Sequence, residues 1–232
     1  MSEAAEKVLD IKHLPMFPLP LVLLPNEVLP LHIFEPRYRQ MLKDVASEKN
    51  FFGVSFFNPT ESFAEKPEPE TVGCVAEVRE TQTMPDGTSN ILTVGVIRYR
   101  LIDYVDAGEP YLVGDVEFFE DFEGDKNILQ PLADEVFALF RRIAEAAHTL
   151  SNARGAFPEI AQTEPQALSF LIAAAFNLAP ALKYQMLETR STSERLTKMR
   201  EIMRQTVGRM EETADINRIS KTNGHAKKKI NL

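Results

Sequence analysis

Hydrophobic positions follow two regimes along this chain. In the first half they come in short runs or alternate with polar residues, and from Ile128 onward they recur at i, i+3 and i+4. The first regime predicts strands, the second helices. "LPLHIF" (Leu29 to Phe34) and "FFGVSFF" (Phe51 to Phe57) are short apolar and aromatic runs of strand type. Between them "EPRYRQMLKDVASEK" predicts one helix, with Pro36 in its first turn and Tyr38, Met41, Leu42 and Val45 along one side. "TVGCVAEV" predicts a strand carrying Val72, Cys74, Ala76 and Val78 on one face. In "MPDGTSNILTVGVIRYRLIDY", Pro85-Asp86-Gly87 makes a tight turn. The returning strand points Leu92, Val94 and Val96 one way, then Ile97, Tyr99 and Leu101, and that slip beside Gly95 predicts a β-bulge. "FNPTESFAEKPEPE" reads as a loop.

In the second regime Leu132, Val136, Leu139, Phe140, Ile143 and Ala147 mark one helix. Thr163 and Gln166 have capping-box spacing before "ALSFLIAAAF", with Pro165 in the first turn. After a break at Asn177 to Pro180, "ALKYQMLE" is a short helix. Ser191 and Glu194 form a second capping box before a long helix striped by Leu196, Met199, Met203, Val207 and Met210. The end, "KTNGHAKKKINL", is polar, basic and low in complexity, a composition that predicts disorder. The expected divisions are a flexible N-terminus (1–10), a β subdomain (11–125), a helical bundle (126–212) and a disordered basic tail (213–232).

One stretch disturbs this simple picture. "LPMFPLPLVLLPNEVLPLHIFEPRYR" is almost wholly apolar and approaches membrane-spanning length, yet it holds six prolines: Pro15, Pro18, Pro20, Pro25, Pro30 and Pro36. A spanning helix would be broken repeatedly, and a proline-rich ligand would be more polar between its prolines. Buried short strands at a sheet edge, separated by proline turns, fit better.

Charge sharpens the division into halves. The chain carries -8 overall. Residues 1–127 hold 23 acids and 11 bases, and residues 128–232 hold 11 acids and 15 bases, so the halves carry -12 and +4. An acidic β half opposes nucleic-acid binding through phosphate repulsion. The single cysteine, Cys74, excludes an internal disulfide and suits a reducing compartment. The start, "MSEAAEKVLD", lacks the basic region and cleavage site of a signal peptide, so the expected location is cytoplasmic.

With the segments in this order, the chain resembles the N-terminal domain of the Lon ATP-dependent proteases, a family that includes stand-alone proteins. The likeness is carried by "LPMFPLPLVLLPNEVLPLHIFEPRY", by "TVGCVAEV", by "MPDGTSNILTVGVIRYRL" with its turn and alternating arginines, and by "SERLTKM" at the start of the last helix. The resemblance implies an α+β fold: an N-terminal six-stranded PUA-like β pseudo-barrel with one helix, then a C-terminal α-helical bundle. It also implies a module that selects and holds substrate polypeptides. An ATPase is not implied, because no GxxxxGK[ST] phosphate loop occurs among the ten glycines. Nor is there room for the Ser–Lys protease module of full-length Lon. The expectation is a non-catalytic protein with no cofactor, whose partners are unfolded or partner polypeptides and potentially an ATP-dependent protease. Homodimerisation stays open.

The remaining chemistry is sparse. His13, His32, His148 and His225 do not pair at ligand spacing, so no metal site is expected. Ser55 in "GVSFF" lacks the second glycine of a nucleophile elbow, and Cys74 alternates with apolar residues as a packed thiol would. "DFEGDKN" fails as a calcium loop, since Lys126 falls where glycine is required and Leu132 where the closing glutamate belongs. Asp103 to Asp125 holds nine acids and no base, with Phe118, Phe119 and Phe122 interleaved. A solvated sheet edge is the plain reading. The functional one makes these three phenylalanines a sticky seam for apolar, basic segments of another polypeptide. Arg37 and Tyr38 are expected to lock the first helix in place, and Arg98 and Arg100 to balance the acidic strand beside them. A small-molecule or RNA-binding regulator on the same fold is the alternative reading.

Overall fold

The computed structural model describes residues 2–58, 66–150 and 161–224, side chains excepted at 149–150 and 211–224. Six strands and six helices follow in the order α1 (Glu3–Val8), β1 (His13–Leu19), β2 (Val28–Ile33), α2 (Pro36–Ala46), β3 (Phe51–Phe56), β4 (Val72–Thr83), β5 (Ser89–Val105), β6 (Leu112–Phe119), α3 (Lys126–Leu150), α4 (Pro165–Ala175), α5 (Pro180–Glu188) and α6 (Thr192–Gly224). Residues 59–65, half of the expected loop, and 225–232, the end of the basic tail, lie outside the described residues.

The strands form one mixed sheet of order β2-β5-β4-β3-β1-β6, and a further pairing of β5 with β6 closes five of them into a ring. Closure depends on the length of β5. Its first half pairs with β2 and β4, and its second half with β4 and β6. All neighbours are antiparallel except β1 and β3, which run parallel with Met16 opposite Gly53. The proline-laden stretch is therefore β1, a connecting loop and β2. Pro15 and Pro18 lie in β1, and Pro30 sits in the terminal strand β2. Among the described residues no helix is long and apolar enough to cross a membrane.

The β-bulge falls where the sequence places it. The β4–β5 register jumps between Cys74↔Arg98 and Ala76↔Gly95, which leaves one extra residue on β5 beside Gly95. A Cβ on Gly95 would stand 2.1 Å from the Leu24 carbonyl oxygen, so the position requires glycine. The β1–β2 loop is strapped down here: Asn26 N–H donates to the Gly95 carbonyl (2.8 Å) and Gly95 N–H to the Glu27 carbonyl (2.9 Å). The Glu27 carboxylate then accepts from Leu24 N–H (2.8 Å) and Lys183 Nζ (2.6 Å), tying the strap to α5.

Helix α2 buries Tyr38, Met41, Leu42 and Val45, the four residues its periodicity picks out. The Tyr38 ring lies 4.2 Å from that of Phe17, and Arg37 pairs with Glu35 at 2.9 Å. β4 departs from the expected one-sided alternation: Val72 to Ala76 are buried on both faces. In β5 the deep positions before the bulge are Ile91 and Thr93, while Leu92, Val94 and Val96 are half-buried.

Two compact units are present. One takes Met1–Glu123 and Phe170–Ser191, the other Gly124–Ser169 and Thr192–Leu232. The strand-bearing unit therefore includes α5, which periodicity alone groups with the other helices. Polar contacts of that segment explain the difference: Tyr184 Oη accepts from Val72 N–H at 3.1 Å, and the carbonyls of Leu187 and Thr189 accept from Arg98. The N-terminus differs from expectation too. Ser2 caps α1 by accepting from Ala5 N–H at 3.1 Å, and Val8 is buried with Leu14, Ile97 and Leu101 in the core of the sheet. In the second unit α3 packs along α6, with Val136, Leu196, Met199 and Met203 buried. Helix α6 continues to Gly224, through the first residues of the stretch whose composition predicts disorder.

Candidate functional site

An open cleft of about 610 Å³ lies between α1, β5 and the end of β6. Its apolar lining includes Val8 at the end of α1 and Leu9 just after it, Ile97 from β5, and Val116, Phe118 and Phe119 from β6. Arg100 and Arg190 bring positive charge to it, and Glu117 and Glu120 negative charge. Phe118 is partly buried and packs on the core cluster that holds Tyr99 and Leu101. Two guanidinium groups lie over the Phe119 ring, Arg98 4.7 Å and Arg190 5.2 Å from its centre. Phe122, in the segment after β6, is 64% exposed and carries Arg190 over its ring at 4.2 Å.

The structure thus brings Phe118 and Phe119 into one cleft and joins Phe122 to it only through Arg190. Backbone contacts hold that arrangement: Phe122 N–H donates to the Arg190 carbonyl (3.0 Å), and Arg190 Nε to the Glu120 carbonyl (3.1 Å). Phe118 packs on the core cluster, while Phe119 and Phe122 share Arg190.

Sequence reasoning missed Leu9 and Arg190. Leu9 is 61% exposed at the cleft mouth. Ser2 followed by an apolar pair at Val8-Leu9 is a helix signal that would have found it. Arg190 lies far from Phe119 in sequence, and no local pattern points to it.

Arg98 and Arg100 sit opposite Phe119 and Glu117 in the β5–β6 ladder, beside the acidic strand as expected, but their partners lie elsewhere. Arg98 is 2% exposed and donates to Asp121 Oδ1 (2.5 Å), the Leu187 carbonyl (3.0 Å) and the Thr189 carbonyl (2.7 Å). Arg100 pairs with Glu70 at 3.0 Å. Arg98 is thus a structural clamp. It fixes the segment after β6 and the end of α5, the two pieces that carry Phe122 and Arg190.

The other reactive residues are built into packing. The Ser55 and Tyr99 hydroxyls are hydrogen-bonded at 2.6 Å in the core, and burial pushes the Tyr99 phenol up. Burial likewise pushes the Cys74 thiol up, away from the thiolate that a nucleophile needs. Among the described residues no three His, Cys, Asp or Glu side chains gather in a way that could hold a metal ion.

Residues 13–205 match the family model described as the ATP-dependent protease La (LON) substrate-binding domain. The chain is 28% identical over 159 residues to a Lon protease of Parabacteroides distasonis, covering 64% of this chain and 19% of that protein. It is 26% identical over 195 residues to the Lon protease of Koribacter versatilis, covering 82% of this chain and 24% of that protein. The chain therefore spans a quarter or less of the length of these relatives. Among solved structures, a Lon N-terminal domain protein from Xanthomonas campestris superposes with a TM-score of 0.59 at 21% identity, over 82% of this chain and 97% of that one. The N-terminal domain of the Mycobacterium avium complex Lon protease gives the same TM-score and identity over 83% and 98%. At that identity the likeness is one of fold.

Proposed function

The chain belongs to the Lon substrate-binding domain family, and from that premise we propose that it is a non-catalytic, cytoplasmic module that recognises unfolded or partner polypeptides for an ATP-dependent protease. In this reading the closed ring is a PUA-like pseudo-barrel and the helices after it a supporting bundle. The observation that carries the proposal is the cleft. An unfolded chain offers apolar side chains without a fixed shape, and the cleft offers exposed Leu9 and partly buried Phe118 and Phe119, with the Arg190 cation over the Phe119 ring. An arginine over a ring presents its remaining N–H groups to backbone carbonyls or acids of a bound segment.

The test is fluorescence anisotropy of a labelled, permanently unfolded protein titrated with this chain, its native form serving as control. Selective capture of the unfolded form is expected. Leu9→Ser with Phe122→Ser, both at exposed positions, should weaken capture by about tenfold or more without moving the unfolding midpoint. Phe118→Ser is a poor probe, since it removes core packing as well. Unchanged capture in the folded double variant would discard the cleft as the site. A small-molecule or RNA ligand is the competing reading, favoured by Arg100 and Arg190 in the same cleft and opposed by Glu117 and Glu120 beside them.

A further inference from the structure

A second surface, which shares no residue with the cleft lining, is the outer face of the β2–β5–β4 part of the sheet. Directly opposed residues in antiparallel strands share a face. Val28↔Val94↔Glu77 and Pro30↔Leu92↔Glu80 are therefore rows running across three strands. Val28 is 56% exposed, Pro30 is exposed, and Leu92 and Val94 are half-buried between them. Phe34, just past β2, is 61% exposed and stacks on His32 at 6.0 Å. The opposite face of the same strands holds Ile33, Ile91 and Thr93, all buried. The outer face thus carries an apolar centre of Val28, Pro30, Leu92 and Val94 over two strands, bordered by the polar row His32↔Asn90↔Gln82.

Two details select its occupant. Among the described residues β2 is the terminal strand and pairs only with β5, so its outer edge is unpaired there, but Pro30 removes an N–H from the middle of that edge. Adding another strand is thereby impaired, and a partner must use side chains on the face. The rim on β4 is acidic: Glu77 is engaged by Lys7 and Arg79, whereas Glu80 is exposed and makes no ion pair among the described residues. Asp86 at the neighbouring turn accepts from Thr88 N–H (2.9 Å) and its hydroxyl (2.8 Å), and adds a second acid near the rim.

We propose that this face is a second docking site, distinct from the cleft, for extended polypeptide segments in which an apolar run is followed by basic residues. Apolar side chains seat on Val28, Pro30, Leu92, Val94 and Phe34, and a lysine or arginine reaches Glu80. The site rests on the polypeptide-recognition reading but uses none of the cleft residues. Two separated sites on one unit would engage one long unfolded chain at two points, and the second contact would form at the high local concentration set by the linking segment.

The test uses the full chain and two labelled, unstructured peptides of equal length, one a leucine–serine run ending in lysines and one the same run ending in glutamates. The lysine peptide is expected to bind about tenfold more tightly at low salt. Val28→Ser with Phe34→Ser should weaken it by about fivefold or more, and Glu80→Lys should invert the preference. If the wild-type chain captures unfolded protein but the face variants bind the lysine peptide as well as wild type does, the second site is wrong and the polypeptide reading survives. If wild type captures neither unfolded protein nor peptide, that reading falls and takes this site with it. Self-association of the free chain that Val28→Ser abolishes would overturn the proposal in favour of a second copy as occupant.

Discussion

At the scale of the residue, Arg98 and Arg100 show how burial decides the worth of the same side chain. Both alternate along β5 and both have an acid partner. The Arg98–Asp121 pair is almost fully buried, with side-chain exposures of 2% and 5%, and removing one member strands a charge that water cannot reach. Asp121→Ala should cost about 3–5 kcal/mol in urea unfolding. Arg100→Met, which loses an exposed partner, should cost less than about 1 kcal/mol. The sequence displays two equivalent arginines, because burial and the carbonyls of Leu187 and Thr189 are set by folding and not by spacing. Gly95 was readable as a bulge, yet its need to be glycine comes from the Leu24 carbonyl of a different segment. Gly95→Ala should therefore lower stability by at least about 1–3 kcal/mol, read as a lower denaturation midpoint.

At the scale of the element, the sequence was most legible where one period acts alone. α2 shows all four of its predicted buried residues, and the turn at Pro85 to Gly87 begins β5 as expected. Legibility failed where neighbours decide. β4 is covered on both faces over Val72 to Ala76, so its alternation carries less information than its apolar content. α5 is apolar on no single clear side, and its tyrosine and C-terminal carbonyls assign it to the strand-bearing unit. The candidate site was half legible for the same reason: phenylalanines show in a sequence, but the arginines that stack on them do not. Between α3 and α6 the Glu135 carboxyl is pushed up by burial and pulled further down by hydrogen bonds from Arg200 and Arg204, ending below its ordinary 4.5. A depressed carboxyl contributes stability that is present above the unfolded value and is lost as pH falls through the folded one. The helical unit should therefore weaken on acidification below about pH 4.5, and Glu135→Gln should flatten that slope by no more than about 1 kcal/mol, since the pair is partly exposed. Circular dichroism across a pH series measures it.

At the scale of the whole molecule, the chain enters each compact unit twice. The strand-bearing unit is incomplete at Glu123, because Arg98 finds both of its carbonyl acceptors in the later segment Phe170–Ser191. A chain ended at Glu123 should fail to give a cooperative thermal transition, even though it holds all six strands. A chain ended after Ser191 should recover one in the strand-bearing unit. Retained cooperativity in the shorter chain would show that the ring stands without its clamp.

The ring closure also dictates a timetable. His13 pairs with Asp115, so β1 meets one of its two neighbours only when residues about a hundred positions later have been made. At roughly 5–20 residues per second of synthesis, β1 and its apolar continuation through Leu24 wait on the order of ten seconds with one edge unsatisfied. A protein whose proposed task is to hold the exposed apolar segments of others is, while being made, an exposed apolar segment itself.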